Sequence, residues 1–484
     1  MNALLSPKHF LITSENNNSY LFNFNNNKNI IASPTILGFI NHYNKNIEEA
    51  EDISTTNYYL DKISILKNNG YLSRNENNYE PLVEYTPNDI ISSFCNTNQI
   101  IIEVTEKCNL ACKYCGFGEN YDYYKKRNGK SIEFERLKIF FDFFIAKRFS
   151  NDNFDNDTSV TVAFYGGEPL LNFNTIEKTV EYLSKFKNKI KFKFNLITNG
   201  TLLKNKLDYF INHHFDIFIS MDGDKEQNEF RIYKNGEETF DRVKDLLLFM
   251  IKNYPEFFSK KVHILSTLNK KNSVNSIQSY FQKEFNKTST ILPLKIDGLK
   301  DTYKDYFINT FFNTEQTIID NENYDSPNIE EFISNSNYEL NRFNSFIFSE
   351  YSDLLSESNK KRTITGTCNP FRNKIYITAN GELMPCDKID FKYALAKITK
   401  THLDINFSEI AQYYNSIFHK MHRVCSSCFR NNRCSQCIFF INPENEIIKC
   451  NGYIKSSDYR TIISEKINRL ERSYTSLMVE DIYK

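Results

Sequence analysis

The sequence predicts an α/β protein in which a partial (β/α)6 parallel barrel sits between a small N-terminal α+β unit and a cysteine-rich C-terminal region. Three observations predict it. From residue 99 onward, short apolar runs alternate with amphipathic helical patterns, as in a parallel sheet wound by crossover helices. The first 90 residues instead open on a period-2 alternation. Seven of the 11 cysteines fall after residue 365.

Taken in order, Phe10 and Ile12, then Tyr20, Phe22 and Phe24, read as two short strands around the turn-forming Glu15-Asn16-Asn17-Asn18-Ser19. A further strand falls at Ile30-Ile31-Ala32. Pro34 precedes a helical pattern through Ile36, Phe39 and Ile40, and a second helix carrying Tyr59, Leu60, Ile63 and Leu66 ends at Gly70. Residues 1–90 thus form one unit, with Ser73 to Asn78, Pro81 and Pro87 as its linker. The core, 98–300, predicts strands at 100–104, 160–164, 192–197, 217–220, 262–266 and 290–294, with helices at 131–148, 174–186, 204–213, 239–252 and 274–284. A helical bridge (301–364) with helices at 302–319 and 329–356 leads to the cysteine-rich region (365–455), and an amphipathic helix closes the chain (456–484).

Composition narrows the function. With 484 residues, 40% hydrophobic and 25% charged, the chain buries more than one core, which excludes disorder as its theme. Sixty basic and 60 acidic side chains cancel, so no global field draws the chain to nucleic acid or an anionic membrane. The lysines from Lys185 to Lys193 read as a solvated face, and the Asn-rich runs as compositional bias. No apolar run approaches the ~18 residues of a membrane span, and the N-terminus lacks a signal-peptide pattern. The expectation is a cytoplasmic protein, where thiols serve metal or catalytic roles rather than disulfides.

Three of those thiols stand together as Cys108-Asn-Leu-Ala-Cys112-Lys-Tyr-Cys115, directly after the first strand of the array. Three thiolates on one loop can hold three irons of a 4Fe-4S cube and leave the fourth iron open for another ligand. The alternative is zinc, which as a structural site wants a fourth protein ligand that the local sequence lacks. Parallel βα arrays place reactive loops at the C-terminal ends of their strands, and each of the next three strands ends in a polar box. These are Tyr165-Gly166-Gly167-Glu168-Pro169, Thr198-Asn199-Gly200, and Ser220-Met221-Asp222-Gly223 followed by Arg231.

The CxxxCxxC loop with an aromatic before its last cysteine, followed by a Gly-Gly-Glu-Pro box, resembles the radical S-adenosylmethionine (SAM) enzymes over residues 98–297, whose fold is a partial TIM-type barrel. The resemblance implies that Cys108, Cys112 and Cys115 ligate the cluster, whose open iron chelates the amino and carboxylate groups of SAM. It implies that Tyr114 packs near the adenine, and that Gly166, Gly167 and Glu168 form the pocket for the methionyl ammonium. Asn199, Ser220, Asp222 and Arg231 match later cofactor contacts. One departure stands out: relatives often carry His-Asp after the Asp-Gly box, whereas this chain has Asn228-Glu229. The implied chemistry is one-electron reduction of the sulfonium, cleavage of the S–C5′ bond, and hydrogen abstraction by the 5′-deoxyadenosyl radical.

The second group comprises Cys368, Cys386, Cys425, Cys428, Cys434, Cys437 and Cys450. It resembles the SPASM extension of radical enzymes, which holds two auxiliary 4Fe-4S clusters, although the gap between Cys434 and Cys437 is two residues where three are usual. The resemblance implies one cluster on Cys425, Cys428, Cys434 and Cys450, and another with an open site on Cys368, Cys386 and Cys437, so three clusters in all. Two successive CxxC pairs can also ligate zinc. Cys95 remains, and reads as a small buried side chain.

SPASM-type relatives mostly modify peptides or proteins. The first 90 residues resemble the winged-helix, PqqD-like recognition element of enzymes that mature ribosomally made peptides. Such a unit captures the leader of a precursor peptide as an added strand, here along the Ile30–Ala32 strand and the 56–70 helix. An electron donor such as flavodoxin or ferredoxin is implied, and neither nucleic acid nor membrane is expected as a partner. The reaction read from this is a thioether or other side-chain crosslink. The alternatives are peptide epimerisation, and oxidation of a protein Cys or Ser to formylglycine, for which Asp387 matches a base in sulfatase-maturing relatives. From other classes, a non-catalytic iron–sulfur carrier would not need the Gly-Gly-Glu-Pro box or the six-strand array, and a peptide-binding module with a degenerate enzyme domain would have lost cluster cysteines, none of which is missing.

Overall fold

A computed structural model describes residues 9–23, 28–31, 53–69, 72, 84–122, 127–150, 159–294, 296, 298–313, 369–429, 436–450 and 452–474. It divides into two units, one of residues 1–83, 325–367 and 416–484, the other of 84–324 and 368–415.

The first unit opens with three antiparallel strands in chain order, β1 (His9–Thr13), β2 (Ser19–Asn23) and β3 (Lys28–Ile31). The expected turn joins β1 to β2: the Ser14 and Asn18 backbones bond at 2.8 Å, and Asn17 takes a φ of 63° that asparagine tolerates. Helix α1 (Ile53–Asn68) follows. The helical pattern at Ile36, Phe39 and Ile40 lies outside the described residues.

The second unit starts with α2 (Pro87–Cys95), where sequence reading expected linker. Pro87 occupies the first helical position, whose N–H would have no partner in any case. Thr86 and Asp89 close a reciprocal capping box: the Thr86 hydroxyl accepts the Asp89 N–H at 3.2 Å and the Asp89 carboxylate accepts the Thr86 N–H at 2.7 Å. The βα array then runs β4 (Gln99–Thr105), α3 (Phe134–Phe149), β5 (Val160–Gly166), α4 (Phe173–Ser184), β6 (Phe192–Thr198), α5 (Leu207–Asn212) and β7 (Asp216–Ser220). It continues with α6 (Phe240–Asn253), α7 (Pro255–Lys261), β8 (Val262–Leu268), α8 (Val274–Phe285), β9 (Ser289–Pro293) and α9 (Asp301–Phe311). Strands β4 to β9 pair parallel in chain order. Four three-residue strands extend the sheet past β4: β10 (Ile375–Ile377), β11 (Glu382–Met384), β12 (Ala396–Ile398) and β13 (Leu403–Ile405). β10 pairs parallel with β4 and the others add antiparallel, giving a ten-stranded order β13-β12-β11-β10-β4-β5-β6-β7-β8-β9. The result is a mixed α/β fold with a parallel-rich central sheet.

The two faces of that sheet differ. In β8, Val262, Ile264, Ser266 and Leu268 are buried while His263, Leu265 and Thr267 are half-buried, the alternation of a strand with one face covered. The covered face meets the helices through residues such as Phe164, Leu196, Ile217 and Ile219, all fully buried. The other face is half-buried along β6, β7 and β8 but fully covered along β4 and β10. Beneath β4, Phe94 makes edge-on contacts with Phe140, Phe144, Phe371 and Phe407, at centroid distances from 5.4 to 6.3 Å, which seats the 369–415 segment within this unit.

Helix α10 (Phe407–Cys425) spans the division between units, and α11 (Ser456–Tyr474) belongs to the first. Tyr459, Ile463 and Ile467 of α11 form a core with Ile12 of β1, and Arg460 donates to the Leu11 carbonyl at 2.8 Å. The predicted bridge helix at 329–356 lies outside the described residues. Among the described residues no helix is long and apolar enough to cross a membrane.

Candidate active site

The three-cysteine loop leaves the C-terminal end of β4 and is anchored on both sides. Its backbone runs antiparallel to the segment after β7, with Ala111 N–H donating to Ile232 O at 2.8 Å and Lys113 N–H to Phe230 O at 3.0 Å. Cys115 N–H turns back to Cys112 O at 3.1 Å, and Leu110 N–H points at the Cys108 sulfur at 3.4 Å. Burial pushes the Cys112 thiol up to about 12, against the pull of the Arg231 guanidinium and with Cys115 and Cys108 adding to the rise. Burial likewise raises Cys108, which also feels Glu168 and Cys115. The three sulfurs therefore stand close enough to act on one another, a donor set that fits three irons of a 4Fe-4S cluster. Among the described residues no three His, Cys, Asp or Glu side chains converge on a single ion, and thiolates on a cube each take a different iron.

The Gly166-Gly167 pair clamps the base of this loop. Gly166 has a φ of 138°, outside the range of other residues. A side chain on Gly167 would run into the Lys107 carbonyl, because Gly167 and Glu168 N–H donate to Thr105 O and Lys107 O, each at 2.8 Å. Glu168 is fully buried, and its carboxylate accepts from Thr198 Oγ1 at 2.8 Å, Asn199 N–H at 2.9 Å and Leu170 N–H at 3.2 Å. Burial lifts it to about 7 despite those bonds. Glu168 thus ties the end of β5 to the end of β6. Asn199 carries the link onward: its amide donates to Asn109 Oδ1 at 2.9 Å and lies 3.9 Å from the Cys108 sulfur. Thr201 completes the bracket, accepting from Asn109 Nδ2 at 2.9 Å and donating to Asn199 Oδ1 at 2.7 Å.

The third box closes the opposite side. Ser220, half-buried, ends β7, and Asp222 behind it is fully buried. One Asp222 oxygen pairs with Arg231 Nη2 at 2.9 Å and accepts the Thr267 N–H at 2.8 Å, while the other accepts the Tyr114 hydroxyl. Burial opposes the Arg231 charge, but Asp222, Tyr114 and Cys112 outweigh it and hold the guanidinium protonated. The guanidinium lies 5.6 Å over the Tyr114 ring, whose edge-on partner is Phe230 at 6.3 Å. Asn228, standing where relatives often have histidine, accepts the Asp222 N–H at 3.1 Å and donates to Thr239 Oγ1 at 3.3 Å. Its role is to shape the Asp222 loop.

The structure therefore gathers Cys108, Cys112, Cys115, Tyr114, Gly166, Gly167, Glu168, Asn199, Asp222 and Arg231 at the C-terminal ends of β4 to β7. Sequence reading missed Asn109, Thr201 and Thr267 as its braces and gave Thr198 and Asn228, which it named, no bracing role, since single polar residues at strand ends look like turn formers.

Among the later cysteines, Cys386 lies in the second unit. Burial pushes it up to about 11, and its thiol is 3.5 Å from Asp387 Oδ1, which also faces Lys374 Nζ at 3.5 Å. Cys425, Cys428, Cys437 and Cys450 belong to the first unit, with the first two buried. Cys368 and Cys434 lie outside the described residues. Cys95 is fully buried, its thiol 3.4 Å from Lys147 O.

Residues 102–265 match the Radical SAM superfamily model. An uncharacterized protein of Methanocaldococcus jannaschii is 34% identical over 32% of this chain and 50% of its own length, so the chain spans half of that relative. A cysteine-type anaerobic sulfatase-maturating enzyme of Clostridium novyi is 23% identical over 74% of this chain and 93% of its own. The radical SAM cyclopropyl synthase TigE of Paramaledivibacter caminithermalis is 28% identical over 33% of this chain and 34% of its own. Residues 102–265 are thus similar to the Radical SAM superfamily, and the chain is similar over most of its length to an anaerobic sulfatase-maturating enzyme.

Proposed function

We propose that the chain is a cytoplasmic radical SAM enzyme that modifies a ribosomally made precursor peptide, forming a thioether or another side-chain crosslink. The observation that carries the reading is the three-thiol loop at the end of β4, braced by the Gly-Gly-Glu-Pro box on one side and by Asp222 and Arg231 on the other. Cys108, Cys112 and Cys115 would hold a 4Fe-4S cluster that, with SAM on its open iron, supplies a 5′-deoxyadenosyl radical. Around it, the Gly166-Gly167 backbone, Asn199 and Ser220 would contact SAM, and Tyr114 would pack near its adenine. Glu168 would help form the pocket for the methionyl ammonium with Gly166 and Gly167, its carboxylate held in place by the Leu170, Thr198 and Asn199 donors. Asp222 keeps Arg231 charged and oriented.

The later cysteines support two further clusters by their number and spacing, and the N-terminal unit is read as the site that holds the peptide leader. A flavodoxin- or ferredoxin-type protein would supply the electron. A second reading is oxidation of a protein Cys or Ser to formylglycine, favoured by the sulfatase-maturating relative and by the place of Asp387 beside Cys386.

The test is anaerobic reconstitution followed by iron analysis and reduction in the presence of SAM. The proposal expects 5′-deoxyadenosine and about twelve irons per chain, with the nucleoside lost in Cys112→Ala. No 5′-deoxyadenosine would sink the radical reading, and about four irons would remove the auxiliary clusters.

A further inference from the structure

A second polar cluster lies on the face of the sheet opposite the helices, toward the C-terminal ends of β10, β4 and β5, buried on β10 and β4 and half-buried on β5. Glu103 of β4 lies opposite Tyr165 of β5, and Tyr376 of β10 pairs with Ile101, two residues before Glu103. All three side chains therefore share one face. Glu103 is fully buried, accepts the Ala379 N–H at 2.9 Å, and pairs with Nη2 of Arg127 on the chain that follows the three-cysteine loop. The Arg127 guanidinium lies 4.0 Å over the ring of Phe117, which in turn tilts against Tyr165 at 5.8 Å.

Glu103 satisfies only part of this arrangement. Among the described residues, Nε and Nη1 of Arg127 and the Tyr376 hydroxyl are buried without a hydrogen-bond partner. Tyr376 is fully buried and close enough to feel Glu103, Tyr165, Arg127 and Asp387. Leaving buried donors unpaired costs free energy, and three in one cluster suggest a partner from outside the chain.

We propose that Arg127 and Tyr376 form a subsite for main-chain carbonyl groups of the substrate peptide. The proposal rests on the peptide-modifying reading above and names where the segment beside the reacting residue is held. Charge selects the ligand chemistry. Glu103 already balances Arg127, so a carboxylate would add a second negative charge in buried surroundings with Asp387 nearby, whereas a neutral carbonyl accepts the N–H and O–H bonds without that cost. Burial and the charge of Glu103 keep the Tyr376 phenol protonated and therefore a donor. Phe117 and Tyr165, tilted against one another, add apolar surface, and Phe117 stands two residues after Cys115, which puts the held segment next to the proposed radical source.

The probe is the capped tetrapeptide acetyl-Ala-Cys-Ala-Ala-amide, titrated calorimetrically into reconstituted full-length protein, with acetate as the charged competitor. Tyr376→Phe and Arg127→Lys are each expected to weaken tetrapeptide binding about tenfold. Acetate should not compete. Tyr376→Phe should hold or raise the melting temperature, because the hydroxyl that it removes is buried without a protein partner, and this separates a binding role from a structural one. A wild-type protein that does not bind the tetrapeptide, unchanged affinity in Tyr376→Phe, a lowered melting temperature in that variant, or displacement by acetate would each overturn the proposal. Formation of 5′-deoxyadenosine by the wild type without tetrapeptide reports on the radical reading alone, so the two failures are told apart.

Discussion

Replacing Glu168 tests whether the site is braced as described. In Glu168→Ala three donors lose their acceptor. The Thr198 hydroxyl can rotate, and it already accepts the Gly200 N–H at 3.0 Å. The Asn199 and Leu170 N–H groups are fixed by the backbone and stay buried. At about 1–3 kcal/mol for each stranded donor, the loss is about 2–6 kcal/mol. In a domain of this size each kcal/mol moves the melting temperature by roughly 2–4 °C, so the alanine variant should melt roughly 4–24 °C lower. Glu168→Gln keeps one carbonyl oxygen and turns its amide nitrogen toward at least one donor, so it should lose about half as much. The assay is a far-ultraviolet circular dichroism melt of reconstituted protein, read beside iron content, since Asn199 reaches the Cys108 sulfur. Both variants melting with the wild type would refute the bracket, as would a glutamine variant as unstable as the alanine one.

Other substitutions probe the remaining braces. Asp222→Asn leaves the Arg231 guanidinium without its counter-charge and should cost about 3–5 kcal/mol, seen as a lowered melting temperature. Tyr114→Phe removes one hydrogen bond to the same carboxylate and should cost about 1–2 kcal/mol. Gly167→Ala drives a side chain into the Lys107 carbonyl, so it should abolish 5′-deoxyadenosine formation and lower iron content together. Thr86→Ala breaks the α2 cap at a cost of about 1 kcal/mol without touching the site, so it should lower stability but leave iron content unchanged.

The βα array was legible because its strands are long apolar runs, such as Ile100-Ile101-Ile102, set between periodic helices. The loss of Pro87 to a linker reading came from weighing proline as a breaker, although the Thr86-x-x-Asp89 signature of a capped helix stood in the sequence. β10 could not be read, since its three residues pair with a strand more than 270 positions earlier, and nothing local announces such a partner. The cysteine loop and the Gly-Gly-Glu-Pro box were visible because their spacing carries chemistry. Most of their braces were not, because Asn109, Thr201 and Thr267 become meaningful only once the strands bring them together. Glu103 did leave a trace: a lone carboxylate inside an apolar strand must find a cation, and Arg127 is that cation.

The account stands or falls on whether Cys108, Cys112 and Cys115 carry a cluster with an iron open to SAM. The measurement is electron paramagnetic resonance of the dithionite-reduced, reconstituted protein, recorded before and after addition of SAM. The account predicts a reduced-cluster signal whose shape changes when SAM binds, and loss of the SAM-responsive component in the variant with all three cysteines replaced by alanine. A reduced signal indifferent to SAM, or a SAM response that survives in the triple variant, would contradict it.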